Sequence, residues 1–219
     1  ANPRDLDGFI AELKKHRVTV FIGLNTLYRG LLNKPEFKTV DFSTWKLSLG
    51  GGMATQQAVA DQWYKLVGLP IIDAYGLTEA SPGVCVNPLN ITEYTGGIGL
   101  PLPSTEIELR DGHGGFVQTG EAGELWIRGP QVMRGYWNRP DETDKVLDQN
   151  GWLETGDIAA MDENGWLKIV DRKKDLIVVS GFNVYPNEIE DVVVQNPKVL
   201  EAACVGVISE KTGEALKLF

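Results

Sequence analysis

Between Asp5 and Ala74 the spacing of apolar residues switches repeatedly between helical and strand periods, and this alternation constrains the fold more than any single motif. Leu6, Phe9, Ile10 and Leu13 recur at helical spacing behind Pro3 and an acidic start, which predicts a helix over Asp5 to Arg17. Val18 to Ile22 reads as a strand, the stretch around Leu24 to Leu32 as a helix and Trp45 to Leu49 as a second strand. A third helix near Thr55 to Val67 leads to a strand over Pro70 to Ala74. Strands alternating with helices imply βαβ units, and therefore a parallel sheet of the α/β class.

The texture changes after about Gly96. Short strand patterns at Glu106 to Arg110, Glu124 to Arg128, Ile158 to Met161 and Leu167 to Val170 are divided by glycine-rich turns such as His113-Gly114-Gly115. That predicts a β-rich, antiparallel barrel or small sheet. The charged knot Asp171-Arg172-Lys173-Lys174-Asp175 then precedes a strand at Leu176 to Val179, a helix at Pro186 to Gln195 and a strand at Ala202 to Val207. The chain opens without Met, so it is expected to be either processed or a piece of something longer, and its pattern stops in mid-strand at Phe219.

Composition narrows the partners. With 21 Lys and Arg against 30 Asp and Glu, the net charge of -9 repels phosphate backbones and anionic headgroups, which argues against nucleic acid. No apolar run approaches the ~18 residues of a membrane span, and no basic segment followed by an apolar stretch opens the chain. Cys85 and Cys204 lie far apart and outside any C-x-x-C pair, so no redox or metal motif is expected and a reducing cytoplasm is the expected compartment.

Several chemistries lack their parts. There is no G-x-S-x-G elbow, and two histidines, His16 on a helix and His113 in a turn, are too few for a Ser-His-Asp hydrolase. A Walker phosphate loop is absent, and Gly96-Gly97-Ile98-Gly99 lacks the strand-turn-helix context of a dinucleotide fingerprint. Three glycine-punctuated clusters remain. Gly50-Gly51-Gly52 and Asp73-Ala74-Tyr75-Gly76-Leu77-Thr78-Glu79 fall at the carboxyl ends of strands, where open parallel sheets bind ligands. Glycine admits a flat ligand, Tyr75 offers a stacking face, Thr78 a hydroxyl for phosphate and Glu79 a hard ligand for Mg2+. The plainer alternative is a set of turns with a solvated Glu79.

The second cluster is Gly151-Trp152-Leu153-Glu154-Thr155-Gly156-Asp157. Asp157 suits the paired hydroxyls of a ribose, or else is a turn aspartate bonded to its own backbone. In the third, Asp171 to Asp175 followed by Ser180-Gly181-Phe182-Asn183, Arg172 reaches a ribose or phosphate, unless the run is only a solvated linker.

In order, Tyr75-Gly76-Leu77-Thr78-Glu79, Gly123-Glu124-Leu125, Gly135-Tyr136-Trp137-Asn138-Arg139-Pro140, Thr155-Gly156-Asp157, Asp171 to Asp175 and Asn187-Glu188-Ile189-Glu190 resemble the successive motifs of the AMP-forming acyl-CoA synthetase superfamily. Asn150 to Asp175, the opening Ala1 to Asp5 and Val179 to Glu188 are similar to bacterial long-chain fatty-acid CoA ligases. The resemblance implies activation of a fatty acid by ATP to acyl-AMP and transfer to CoA. It implies that 1–95 is the later part of an α/β nucleotide- and acyl-binding subdomain, 96–173 a β-rich subdomain and 174–219 the start of a small α+β domain. Residue by residue, Gly50, Gly51 and Gly52 would border the adenine and acyl carboxylate. Asp73, Ala74, Tyr75 and Gly76 would form the adenine wall, Thr78 would contact phosphate, and Glu79 would ligate Mg2+. Asp157 and Arg172 would bind the ribose, Lys174 would be the hinge, and Gly181 would line the CoA passage.

The same resemblance places the family's phosphate loop upstream and its adenylation lysine downstream of this chain, so the 219 residues alone are expected to be inactive. Val178 stands where luciferases carry Lys, which argues against a luciferase-like oxidation. Expected partners are fatty acid, ATP and CoA, in the cytoplasm or at the inner-membrane surface through the substrate. The alternatives are a CoA ligase or AMP ligase for another carboxylic acid, or a non-catalytic nucleotide- or partner-binding fragment. Neither chain-length preference nor oligomeric state is legible in these residues.

Overall fold

The computed structural model describes residues 5–219 apart from Pro197 and Leu200, so the expectations placed on Ala1 to Arg4 lie outside the described residues. The chain forms two compact units, Ala1–Thr105 with Pro130–Arg134, and Glu106–Gly129 with Gly135–Phe219.

In the first unit, helix α1 (Leu6–Lys15) starts where the Asp5 carboxylate accepts the Gly8 amide at 3.0 Å, a side-chain cap for an otherwise orphan donor. Strand β1 (Val20–Gly23), helix α2 (Asn25–Leu32), strand β2 (Leu47–Gly50), helix α3 (Gln57–Val67) and strand β3 (Ile71–Gly76) follow as two βαβ crossovers. As the alternation predicts, β1, β2 and β3 are parallel neighbours, with Val20 opposite Leu47 and Ser48 opposite Ile71. Two strands not foreseen, β4 (Gly83–Val86) and β5 (Leu100–Pro101), extend the sheet antiparallel in the order β1-β2-β3-β4-β5. They are short and flanked by proline, so their strand pattern is faint in sequence.

The crossover helices cover an aromatic core. Tyr28, Phe37 and Trp63 are fully buried. Phe21 stacks on Trp45 with ring centroids 5.0 Å apart, and Trp63 meets Tyr28 edge-on at 4.5 Å. Both buried polar tips are satisfied: Trp63 Nε1 donates to Ser48 Oγ at 3.0 Å, and the Tyr28 hydroxyl to the Leu49 carbonyl at 2.7 Å. These bonds tie α2 and α3 to β2, the strand that ends in Gly50, so packing fixes the glycine loop from behind.

The second unit is antiparallel throughout. Strands β6 (Glu106–Arg110), β7 (Ala122–Arg128), β8 (Leu153–Met161) and β9 (Leu167–Arg172) form one sheet in that order, with helix α4 (Pro140–Val146) between β7 and β8. Strands β10 (Ile177–Val179) and β11 (Phe182–Val184), helix α5 (Pro186–Val193), and strands β12 (Cys204–Ser209) and β13 (Gly213–Leu218) follow, the second sheet having the order β11-β10-β13-β12. Two boundaries depart from expectation for one reason each. β8 starts five residues before Ile158 because the Thr155-Gly156-Asp157 segment, turn-like in composition, is carried inside the strand as a bulge. Asp171 and Arg172 belong to β9 rather than to a linker, since they pair with Ile158 and Asp157. Among the described residues no helix is long and apolar enough to cross a membrane.

Candidate functional site

The predicted residues form two groups, one in each unit. In the first, Gly50 closes β2 beside Asp73 of β3, its register partner. A side chain at Gly50 would collide with Asp73 Oδ1, and would lie 2.9 Å from both Ile71 Cγ2 and Thr55 Oγ1, so only glycine fits. Gly51 and Gly52 continue from the strand end, and the Gly51 amide donates to the Gly23 carbonyl at 3.3 Å.

The structure gives Asp73 a part that the sequence did not reveal. Its carboxylate is buried, Oδ1 accepting from Thr55 Oγ1 at 2.7 Å and Oδ2 lying 2.9 Å from the Tyr94 hydroxyl. Tyr94 also lies 2.6 Å from the Thr55 carbonyl. One phenolic proton cannot serve both acceptors, so when it goes to Thr55 the Asp73 Oδ2 is best satisfied by carrying a proton of its own. Burial is the larger influence and pushes the Asp73 carboxyl above its ordinary range, against the bonds from Thr55 and Tyr94. Thr55 and Tyr94 were missed in sequence because neither sits in a motif and Tyr94 meets Thr55 across 39 residues.

Beyond Asp73, Ala74 and Tyr75 remain in β3, opposite Val86 and Cys85, and the register shifts between Tyr75 and Gly76. Thr78 and Glu79 then lie in a 3-10 turn (Thr78–Ala80), with Thr78 exposed, Glu79 half-buried and Ala80 fully buried. The turn is held from the distant segment Pro130–Arg134, where the Met133 amide donates to the Glu79 carbonyl at 2.7 Å. Gln131 Nε2 fixes that segment by donating to Thr105 Oγ1 at 2.7 Å. Among the described residues no three His, Cys, Asp or Glu side chains gather as a metal cage. Mg2+ asks for less, one or two carboxylates with phosphate and water completing the shell, and a half-buried Glu79 on a fixed turn is a carboxylate of that kind. Bound there, the ion would neutralise phosphate charge. Burial pushes the Cys85 thiol up to about 12, which makes it a packing residue and not a nucleophile.

In the second unit the two predicted ribose residues come together. Asp157 and Arg172 are directly opposed on β8 and β9, with Arg172 Nε 3.7 Å from Asp157 Oδ1. Between the pairs Glu124 with Ile158 and Trp126 with Glu154, Leu125 of β7 faces the three residues Thr155, Gly156 and Asp157. Such a bulge re-aims side chains. Gly156 accepts it at φ 74°, while Thr155 Oγ1 donates to the Leu125 carbonyl at 2.7 Å and accepts the Asp157 amide at 3.1 Å. The Asp157 side chain is 18% exposed and that of Arg172 61%, so the acid is set in a wall and the cation lies at the surface. A carboxylate held this way can accept two hydroxyl hydrogens at once.

Lys174 is exposed in the 3-10 turn Lys173–Asp175 that leaves β9, and Gly181 occupies the two-residue turn between β10 and β11. The neighbouring Lys173 was not singled out from sequence. Its ammonium reaches Glu124 Oε2 on β7 at 2.9 Å and Glu154 Oε1 on β8 at 2.6 Å. Burial pushes the Glu124 carboxyl up, opposed by Lys173 and reinforced by the neighbouring Glu154.

The first unit thus carries a parallel sheet ending in a glycine loop and a Thr-Glu turn, and the second carries an Asp-Arg pair on a bulge. The sequence pattern of the family described as AMP-binding enzyme matches residues 1–137, and the chain belongs to that family. It is 58% identical over 218 residues to a long-chain-fatty-acid–CoA ligase of Yersinia pestis, covering 100% of this chain and 39% of that protein. Identity to a long-chain-fatty-acid–CoA ligase of Bacillus subtilis is 40%, over 94% of this chain and 37% of that one. The chain therefore spans about two fifths of the length of the curated relatives it matches. Among solved structures, ATP-bound MatB from Rhodopseudomonas palustris superposes with a TM-score of 0.88 at 31% identity, covering 98% of this chain and 42% of that chain. The anthranilate CoA ligase AuaEII in complex with anthranoyl-AMP gives 0.89 at 28% identity, covering 100% and 42%.

Proposed function

We propose that this chain is the nucleotide-binding and hinge-bearing part of an AMP-forming long-chain fatty-acid CoA ligase. In the whole protein the fatty-acid carboxylate attacks the α-phosphorus of ATP, giving acyl-AMP and releasing pyrophosphate. The CoA thiolate then attacks the acyl carbonyl, giving the thioester and releasing AMP. The reading is supported by 58% identity running through the whole chain, set beside 36% to a feruloyl-CoA synthase of an Amycolatopsis species. A fatty acid is accordingly favoured over an aryl acid.

The roles we assign within this reading are these. Gly50, Gly51 and Gly52 border the adenine and the acyl carboxylate, the missing side chain at Gly50 letting the strand end pack against Asp73. Asp73, Ala74, Tyr75 and Gly76 supply the adenine wall, Asp73 also holding the Thr55 loop. Thr78 contacts phosphate, Glu79 holds Mg2+, Asp157 and Arg172 take the ribose hydroxyls, and Gly181 lines the path of CoA. Lys174 is the hinge between a β-rich subdomain at 96–173 and a small domain beginning at 174, with 1–95 contributing the α/β part. The catalytic contribution of these groups is electrostatic, a set of donors and a metal aimed at the charge that develops on phosphate. A cytoplasmic enzyme that meets the membrane surface only to collect its substrate fits this chemistry. ATP–pyrophosphate exchange by the whole protein with acids of graded length tests the reading. Exchange strongest with long alkyl acids is expected, and exchange confined to aryl or short acids would replace the assigned substrate class.

A further inference from the structure

Asp171 and Lys173 stand two residues apart where β9 ends, yet they connect to different parts of the second unit. Asp171 is 2% exposed and is not part of the nucleotide machinery assigned above. Its Oδ2 accepts the Asn187 amide at 3.1 Å, and its Oδ1 accepts Asn187 Nδ2 at 3.2 Å and the Arg172 amide at 2.8 Å. Asn187 is the second residue of α5, behind Pro186, which has no N–H, and the residue in the capping position, Tyr185, makes no side-chain capping bond. The Asn187 amide is therefore the first orphan donor of the helix, and a carboxylate from another strand caps it. Helix α5 is fastened in turn to the last sheet, since Glu190 Oε1 accepts the Cys204 amide at 2.7 Å. Asp171 thus reaches past the 3-10 turn and holds the segment that follows it.

Lys173 does the reverse. Its two carboxylate partners lie on β7 and β8, so the chain is clasped to the first sheet of this unit up to Lys173. A turn of the following segment about the backbone has to begin at Lys174 or later, and it would break the Asp171–Asn187 bonds while sparing the Lys173 clasp. The junction is built for parting. A cleft of about 480 Å³ lies there, lined by Asp171, Lys174, Asn187, Glu190 and Cys204 among others. Polar bonds beside an open cleft can be broken and remade without tearing an apolar core.

We propose that Asp171 is a positioning residue, a latch that caps α5 and holds the C-terminal segment in one orientation, released and remade as the enzyme passes between its half-reactions while the Lys173 clasp stays shut. The kinetic half of this proposal rests on the two-step reaction proposed above. The experiment uses the whole protein with Asp171→Ala, Asp171→Asn and Asn187→Ala. Amide exchange is followed without substrates, and ATP–pyrophosphate exchange and CoA-dependent AMP release are measured separately. Asp171→Ala should speed exchange in the first turn of α5 by about ten- to a hundredfold and leave β7 and β8 unmoved. It should change the ratio of the two half-reaction rates by at least about tenfold. Asp171→Asn, which keeps an acceptor oxygen for the Asn187 amide, should fall between it and wild type, and Asn187→Ala should give a smaller change in the same direction. Unchanged α5 exchange, faster exchange spread equally over β7 and β8, or both half-reactions slowed by one factor would overturn the latch. If wild type activates no acid at all, the reaction assignment fails, and the exchange pattern still decides whether Asp171 holds α5.

Discussion

Asp73 in the first unit pairs with Gly50 across the sheet and Asp157 in the second follows Gly156 in its strand, yet the surroundings of these two carboxylates differ. Asp73 is walled in by Thr55, Tyr94 and the place where Gly50 lacks a side chain, with only neutral donors about it. Asp157 stands on a bulge beside the exposed guanidinium of Arg172. A carboxylate enclosed by Thr55 and Tyr94 holds the Thr55 loop in shape. One on a bulge beside an exposed cation is the carboxylate we assign to the ribose hydroxyls. The proposed contrast is between an acid that also stiffens its own unit and one that takes ribose hydroxyls from a strand bulge.

The largest effect expected from this contrast lies behind the first unit's frame. Trp63 joins α3 to β2 through a fully buried ring and its bond to Ser48, so Trp63→Ala in the whole protein should destabilise this unit by about 3–5 kcal/mol. Amide exchange should accelerate across β1 to β3 and not across β6 to β9. Uniform acceleration would mean that the two units do not open separately.

Next in size, Asp157→Ala should lower kcat/KM for ATP by about two to three decades, ~3–4 kcal/mol, if it holds two ribose hydroxyls. Its exposure of 18% and its place beside Arg172 predict little loss of stability. Asp73→Ala should show the opposite balance, chiefly a loss of stability of about 1–3 kcal/mol as Thr55 and Tyr94 lose their acceptor. Steady-state kinetics and unfolding measured on both variants check the pair, and equal profiles would erase the distinction between frame and ligand. Lys173→Ala is a smaller test of the second unit. It leaves Glu124, whose side chain is 9% exposed, without its cation. The cost should be about 1–2 kcal/mol, discounted because Lys173 itself is half exposed. β7 and β8 should exchange faster together.

The sequence made the parallel part of the fold legible because β1 to β3 and their crossover helices carry apolar periods long enough to read. Its misses share one cause. β4, β5, β11 and β13 are short or polar strands completed by partners elsewhere in the chain, and β8 hides its start behind the bulge at Gly156. The site divides along the same line. Glycines, the Thr78–Glu79 turn and the Asp157 and Arg172 positions were visible as local motifs. Thr55, Tyr94, Met133 and the Lys173 clasp were not, because each acts through a contact formed only when distant segments meet. What Asp73 does could not be read locally either, since its partners lie 18 and 21 residues away.

The finest test uses pH and bears on Asp73 alone. Burial raises its carboxyl pKa above the ordinary 3.8, so between that value and the raised one the folded protein holds a proton that the unfolded chain has released. Stability rises with pH only where the unfolded state binds more protons. Here it binds fewer, so this group's contribution is complete below 3.8 and is lost as pH climbs through the raised value. Asp73→Asn removes the titration while keeping an amide of the same shape. Every other carboxylate titrates alike in both proteins, so subtracting the variant's opening free energy from wild type's, by amide exchange across β2 and β3, isolates the Asp73 term. The difference should fall as pH rises from just above 3.8 and then level off. A flat difference would mean that Asp73 is ionised at no cost in its enclosure, and a difference that grows with pH would mean that a cation reaches it, making Asp73 a second acid of the Asp157 kind.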